Sequence, residues 1–147
     1  MFQLFNSLPR GIMACNNIIF AALAYVADWN ETHIYNPRWP PHAKFHNGQS
    51  MSFGVLSALT TLYLLGRRSP NAAAAKDSVF IAAIVGSLTT AAGLSAALYP
   101  GTAWADPERD TGARIGPQGY LFMAQICINW IAYFLEKTKI DKGSKLQ

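Results

Sequence analysis

The chain has 147 residues, the size of one domain. Half of it (51%) is hydrophobic and only 14% is charged, against about 25% charged residues in a typical soluble domain. This depletion points to burial in lipid, where ionised side chains are costly. The net charge of +4 does not indicate nucleic-acid binding, because Lys and Arg flank apolar runs and form no stripe interleaved with aromatics.

Four apolar runs follow one another, with no low-complexity tract, repeat or linker between them. The first, residues 11–29, is long enough to cross a bilayer core of about 30 Å, which takes roughly 20 helical residues. A cleaved signal peptide is the competing reading, since Ala22-Leu23-Ala24 resembles a small-residue cleavage site. Asn16 and Asn17 interrupt the run, however, and cleavage would leave three spans. The second helix extends back from the run at Met51 to Pro41, because proline suits a first helical turn and Pro40 restricts the residue before it. From Pro41 to Gly66 it measures about 39 Å at 1.5 Å per residue, so its first two turns stand at or beyond the interface. The third run, residues 77–99, spans outright. The fourth, residues 118–136, needs its less apolar flanks. The pattern predicts an all-α integral membrane four-helix bundle forming one transmembrane domain over residues 1–147.

Orientation follows from positive residues near the helix ends. With four spans, Arg10, Arg67, Arg68, Lys76, Lys137, Lys139, Lys142 and Lys145 share one side, and only Arg38, Lys44, Arg109 and Arg114 the other. Both termini are therefore expected in the cytosol, with loops 30–40 and 100–117 luminal and the endoplasmic reticulum as the membrane. Asn30-Glu31-Thr32 is a glycosylation sequon on the luminal side, too close to the membrane to be used well. Cys15 and Cys127 fall inside apolar runs and read as buried, unpaired thiols. Ala82, Gly86, Thr90, Gly93 and Ala97 lie at helical spacing and should pack the third helix closely against a neighbour. Asn16, Asn17, Gln125 and Asn129 should face the bundle interior and find partners there, or line a small cavity.

All three histidines lie in D-W-N-E-T-H-I-Y-N-P-R-W-P-P-H-A-K-F-H-N-G-Q, residues 28–49. If Pro41 opens a helix, His42, Phe45, His46 and Gln49 fall at i, i+3, i+4 and i+7, on one face. Two imidazoles one turn apart form a proton-transfer pair, because histidine exchanges protons near neutral pH. The expected roles are His42 and His46 as acid and base, with His33 and Asp28 orienting or assisting. Asn36, Asn47 and Gln49 would bind substrate polar groups, while Trp29, Trp39 and Phe45 line the mouth. Against this stands the ordinary use of Trp, Tyr, His and Lys as interfacial anchors. His42 and His46 could also ligate a metal, completed by His33 and Asp28. But Ala43 follows His42, so there is no His-Glu-x-x-His, and three histidines are too few for a di-iron oxygenase; no metal and no cofactor is expected. The charged loop with Asp106, Glu108, Arg109, Asp110 and Arg114 reads as solvated, its ion pairs stabilising little. The alternative is a lid bringing Glu108 or Asp110 to the histidine face.

The string W-P-P-H-A-K-F-H-N-G-Q, preceded by D-W-N-E-T-H-I-Y-N-P, resembles an uncharacterised family of small four-span integral membrane proteins of fungi and bacteria. The resemblance covers most of the chain. It implies a place near natural-product biosynthetic genes and, for some fungal members, the label acetyltransferase, for which the chain has no acyl-CoA phosphate loop. The layout is also similar to that of sterol isomerase-like membrane proteins, in architecture alone. The expectation is a small membrane enzyme, an isomerase or cyclase of secondary metabolite biosynthesis. It would catalyse acid/base isomerisation, cyclisation or dehydration of a lipophilic, polyketide- or terpenoid-like substrate, with membrane lipid around it and a homo-oligomer or partner enzyme as companion. The alternative is a non-catalytic lipid- or sterol-binding or accessory protein. A transporter fits less well, because four spans leave little room for a gated path and broken helices with buried charges are missing.

Overall fold

A computed structural model describes residues 4–144. Lys145, counted above for orientation, lies outside the described residues. Four helices account for the ordered framework: α1 (Leu8–Asp28), α2 (Pro41–Gly66), α3 (Ala72–Ala96) and α4 (Pro117–Ser144). Among the described residues there is no strand.

Local chemistry sets the helix starts. Ser7 caps α1 by accepting a hydrogen bond from the Arg10 amide at 3.4 Å, so α1 begins three residues before its apolar run. Asn71 caps α3 in the same way through the Ala74 amide at 2.9 Å. The Ala72–Ala75 stretch, of the best helix-forming residue, then extends α3 backwards past the expected position 77. Helix α2 starts at Pro41, after Pro40, as expected. Helix α4 continues to Ser144, eight residues beyond the expected end at 136. Hydropathy marks the apolar part of a helix, whereas K-T-K-I-D-K carries no helix breaker and lets it run on.

The helices form a closed ring: α1 packs on α2, α2 on α3, α3 on α4, and α4 returns to α1. The short 67–71 connection makes α2 and α3 antiparallel neighbours. One end of the bundle gathers the start of α1, the 67–71 turn and the end of α4, shown by Arg10 donating to the Leu65 carbonyl at 2.7 Å and by Lys76 pairing with Asp141 at 2.8 Å. Arg67, Arg68 and Lys137 belong to this basic end. The other end gathers Asp28, the 29–40 turn, the start of α2 and the 97–116 loop.

The interior is built from small and polar side chains. Met13, Ala14, Leu64, Leu65, Val79, Ala82, Ala83 and Ala132 form its apolar cluster. Asn129, Thr61, Thr90 and Ser78 are as fully buried as Met13, Leu65 and Val79. Large apolar side chains point the other way: Ile18, Ile19, Leu56, Leu59, Tyr63, Ile131 and Phe134 are all exposed. By length and composition α1 and α3 are apolar enough to cross a membrane. Ala82, Gly86 and Thr90 are buried as the stripe on α3 requires, and a Cβ at Gly93 would come within 2.5 Å of the Phe122 ring. Ala97, however, lies beyond the end of α3 and is exposed. Cys15 and Cys127 are free but exposed on the outer surface, which corrects the expectation of buried thiols. Each apolar run in this bundle has an outward face as well as a buried one, so membership of a run did not imply burial.

Candidate functional site

Two polar centres emerge, and they differ in depth. The deeper one crosses the middle of the bundle. Asn129 Oδ1 accepts from Asn16 Nδ2 and from Asn17 Nδ2, each at 2.9 Å. Gln125 Nε2 donates to the Gly86 carbonyl at 2.7 Å, and Gln125 Oε1 accepts from the Thr90 hydroxyl at 2.8 Å. The four amides expected to face inward therefore do so, and they satisfy one another rather than lining a cavity. Gly86 makes this possible, because a Cβ there would sit 2.6 Å from Asn17 Oδ1. Toward the basic end, Glu136 accepts from Arg10 Nε at 2.6 Å and from Ser7 Oγ at 2.5 Å, with Arg10 and Glu136 only 6% and 4% exposed. Sequence reasoning missed this ion pair. Both residues stand at the ends of apolar runs, where charged residues are normally read as solvated.

The second centre is the histidine-rich end, and here the structure separates residues that the spacing grouped together. His33, on the 29–40 turn, has its Nδ1 at 2.5 Å from Thr32 Oγ1 and 3.8 Å from Asp28 Oδ1. Thr32 Oγ1 donates onward to Asn30 Oδ1 at 2.6 Å, so it accepts from His33 Nδ1–H. Thr32, not Asp28, thus orients this imidazole; adjacency in the chain gave no signal for it. The Asp28 carboxylate accepts instead from Asn47 Nδ2 at 3.0 Å, tying the end of α1 to the second turn of α2. Asn47 Oδ1 is buried without a hydrogen-bond partner. The His33 ring packs edge-on against Trp39 at 4.8 Å, and Trp39 Nε1 donates to Asp106 Oδ2 at 3.1 Å. Arg38 pairs with Glu108.

The 97–116 loop is therefore fastened to the 29–40 turn. It is also fastened to the start of α4, where Gln118 donates to the Trp104 carbonyl and a Cβ at Gly116 would meet Trp104 at 2.7 Å. No contact brings Glu108 or Asp110 to His42 or His46; Glu108 is engaged by Arg38 instead. Asn36 is 4% exposed and uses both ends of its amide within its own turn, donating to the Thr32 carbonyl and accepting from the Arg38 amide. Trp29 is exposed, stacked on Tyr25 and hydrogen-bonded to Tyr35. The sequon Asn30 donates to the Val26 and Ala27 carbonyls, capping α1.

His42, Phe45, His46 and Gln49 lie on one face of α2, as the spacing predicts, and that face is exposed. The two imidazoles meet through their Nε2 atoms at 3.0 Å. His46 Nδ1 bonds Gln49 Oε1 at 3.1 Å. An amide oxygen only accepts, so Nδ1 of His46 carries the proton, its Nε2 holds a lone pair, and His42 Nε2–H is the donor between the rings. Phe45 lies parallel to His42 at 6.1 Å and edge-on to His46 at 5.4 Å. Alongside runs a groove of about 210 Å³ lined by His46, Gln49, Ser50 and Phe53. A second depression of about 240 Å³, lined by Trp104, Asp110 and Gln118 among others, belongs to the 97–116 loop. Among the described residues no group of three or more His, Cys, Asp or Glu converges. His33 and Asp28 therefore do not complete a metal site with His42 and His46.

The chain is thus a ring of four helices with an exposed histidine pair near one end. Over residues 12–145 the chain matches the family described as Family of unknown function (DUF6640), and it belongs to that family. No curated protein and no solved structure matches it.

Proposed function

We propose that this is an integral membrane four-span enzyme in which His42 and His46 carry out acid/base isomerisation, cyclisation or dehydration of a lipophilic substrate. Its termini are cytosolic, its loops 30–40 and 100–117 luminal, and the endoplasmic reticulum is its membrane. The membrane reading is supported by the many outward-facing Ile, Leu and Phe side chains around an interior that mixes apolar and polar residues. It extends from α1 and α3 to α2 and α4 because all four share that ring.

The observation that carries the chemical reading is the Nε2–Nε2 contact at 3.0 Å, with the tautomer of His46 fixed by Gln49. One imidazole is poised to give a proton and the other to take one, with Phe53 offering an apolar wall beside them. The groove is smaller than the several hundred Å³ of a typical small-molecule pocket. A substrate that presents only its reacting end here, its remainder lying in lipid, suits a groove on the outer face of a helix. Asp28, His33 and Asn47 hold the mouth in shape, engaged with one another and with their neighbours rather than with the imidazole pair.

The test is to express the protein in microsomes with polyketide- and terpenoid-like substrates and follow products by mass spectrometry. The wild type should form a product that a His42→Asn/His46→Asn variant does not. The non-catalytic alternative, a lipid-binding or accessory protein, is favoured by the shallowness of both depressions. It predicts that the same variant retains its function and that lipid or a partner co-purifies with both forms.

A further inference from the structure

The spacing of the two imidazoles fits a ligand other than a proton. Two nitrogens held about 2.1 Å from one ion, at about 90° to each other, lie about 3.0 Å apart; at a tetrahedral angle they lie about 3.4 Å apart. His42 Nε2 and His46 Nε2 are 3.0 Å apart. We infer that this pair, whose side chains already bring both Nε2 atoms together, is a two-point chelate for a divalent transition-metal ion, Cu(II) before Ni(II) or Zn(II) in the usual order of affinity for imidazole ligands.

Three features of the site support a chelate. Both ligands rise from consecutive turns of one continuous helix, α2, so their separation is set by backbone geometry rather than by loop conformation. Gln49 Oε1 holds the Nδ1–H of His46, which turns the Nε2 lone pair of that ring toward His42 and raises its basicity as a ligand. His42 needs only to carry its proton on Nδ1 instead of Nε2, so neutral rings bind the ion with no net proton lost. Both rings are exposed, leaving the remaining coordination positions to water. Asp28 and His33 are engaged with Asn47, Thr32 and Trp39 and are not part of the set. The chelate does not rest on the acid/base reading, since it requires only the two lone pairs and is detected by binding rather than turnover.

The experiment is titration of the full-length, tag-free protein in detergent with Cu(II), followed by calorimetry and electron paramagnetic resonance. The expected result is one ion per chain above the background of the His42→Asn/His46→Asn variant, with a tetragonal signal showing coupling to two nitrogens. His42→Asn and His46→Asn should each weaken binding about tenfold or more, and Gln49→Ala by less. His33→Asn should bind like the wild type. Wild-type affinity in both single histidine variants, or equal loss in His33→Asn, would overturn the assignment. So would a signal from a single nitrogen.

Discussion

The two polar centres of this bundle share chemistry but not circumstance. In the middle, Asn16, Asn17, Gln125, Asn129 and Thr90 are held between helices, and each amide finds a partner within the bundle. At the histidine end, His42, His46 and Gln49 bond only to one another along one exposed helix face. A buried polar group without a partner costs far more than an exposed one, so the first centre constrains which sequences fold. The second is free to serve a ligand. The difference separates buried, mutually satisfied polarity from exposed polarity in a chain where both occur on apolar helices.

This contrast can be broken by substitution. The largest effect should come from Glu136→Ala, which leaves the Arg10 guanidinium buried without its partner. About 3–5 kcal/mol of stability should be lost, measured by unfolding in detergent, and Arg10→Ala/Glu136→Ala should lose less than the two single changes combined. Next comes Gly86→Ala, whose Cβ would press on Asn17 Oδ1 at 2.6 Å. A loss of about 1–3 kcal/mol is expected, with Asn129→Leu costing about 1–2 kcal/mol as Asn16 and Asn17 lose their acceptor. Asp28→Asn, which weakens one partly exposed bond to Asn47, should cost about 1 kcal/mol or less. The smallest effect on stability belongs to His42→Asn and His46→Asn, within about 0.5 kcal/mol because both side chains are exposed. If the histidine substitutions destabilised the bundle as much as Gly86→Ala, the distinction between the two centres would fail.

Much of this was legible in the sequence, and the reasons are specific. Helical periodicity places His42, Phe45, His46 and Gln49 together because all four lie on one helix. Proline chemistry fixes the start of α2 at Pro41. The inward turn of Asn16, Asn17, Gln125 and Asn129 follows from the cost of unpaired amides on apolar helices. Contacts between elements were harder to read. Nothing in the spacing distinguishes Glu136, a buried partner of Arg10, from Glu108, an exposed partner of Arg38. The grouping of Asp28 and His33 with the histidine pair assumed that a turn between two helices folds over both faces of the second. In fact Asn47 draws Asp28 to one side of α2, while His42 and His46 occupy another. Helix ends were misjudged where hydropathy and helix formation part company, at Asn71-Ala72 and after Glu136.

The central claim is that the exposed imidazole pair moves protons while the bundle only carries it. Its most direct test is to run the microsomal reaction in D₂O and follow solvent deuterium into product, for the wild type and for His42→Asn/His46→Asn. For an isomerisation or cyclisation, the account predicts one solvent deuterium per wild-type product molecule, because the exposed pair exchanges its protons with water. It also predicts a product yield lowered on the order of 10²-fold or more in the variant, with its unfolding midpoint unchanged. Undiminished yield and deuterium incorporation in the folded variant would contradict it.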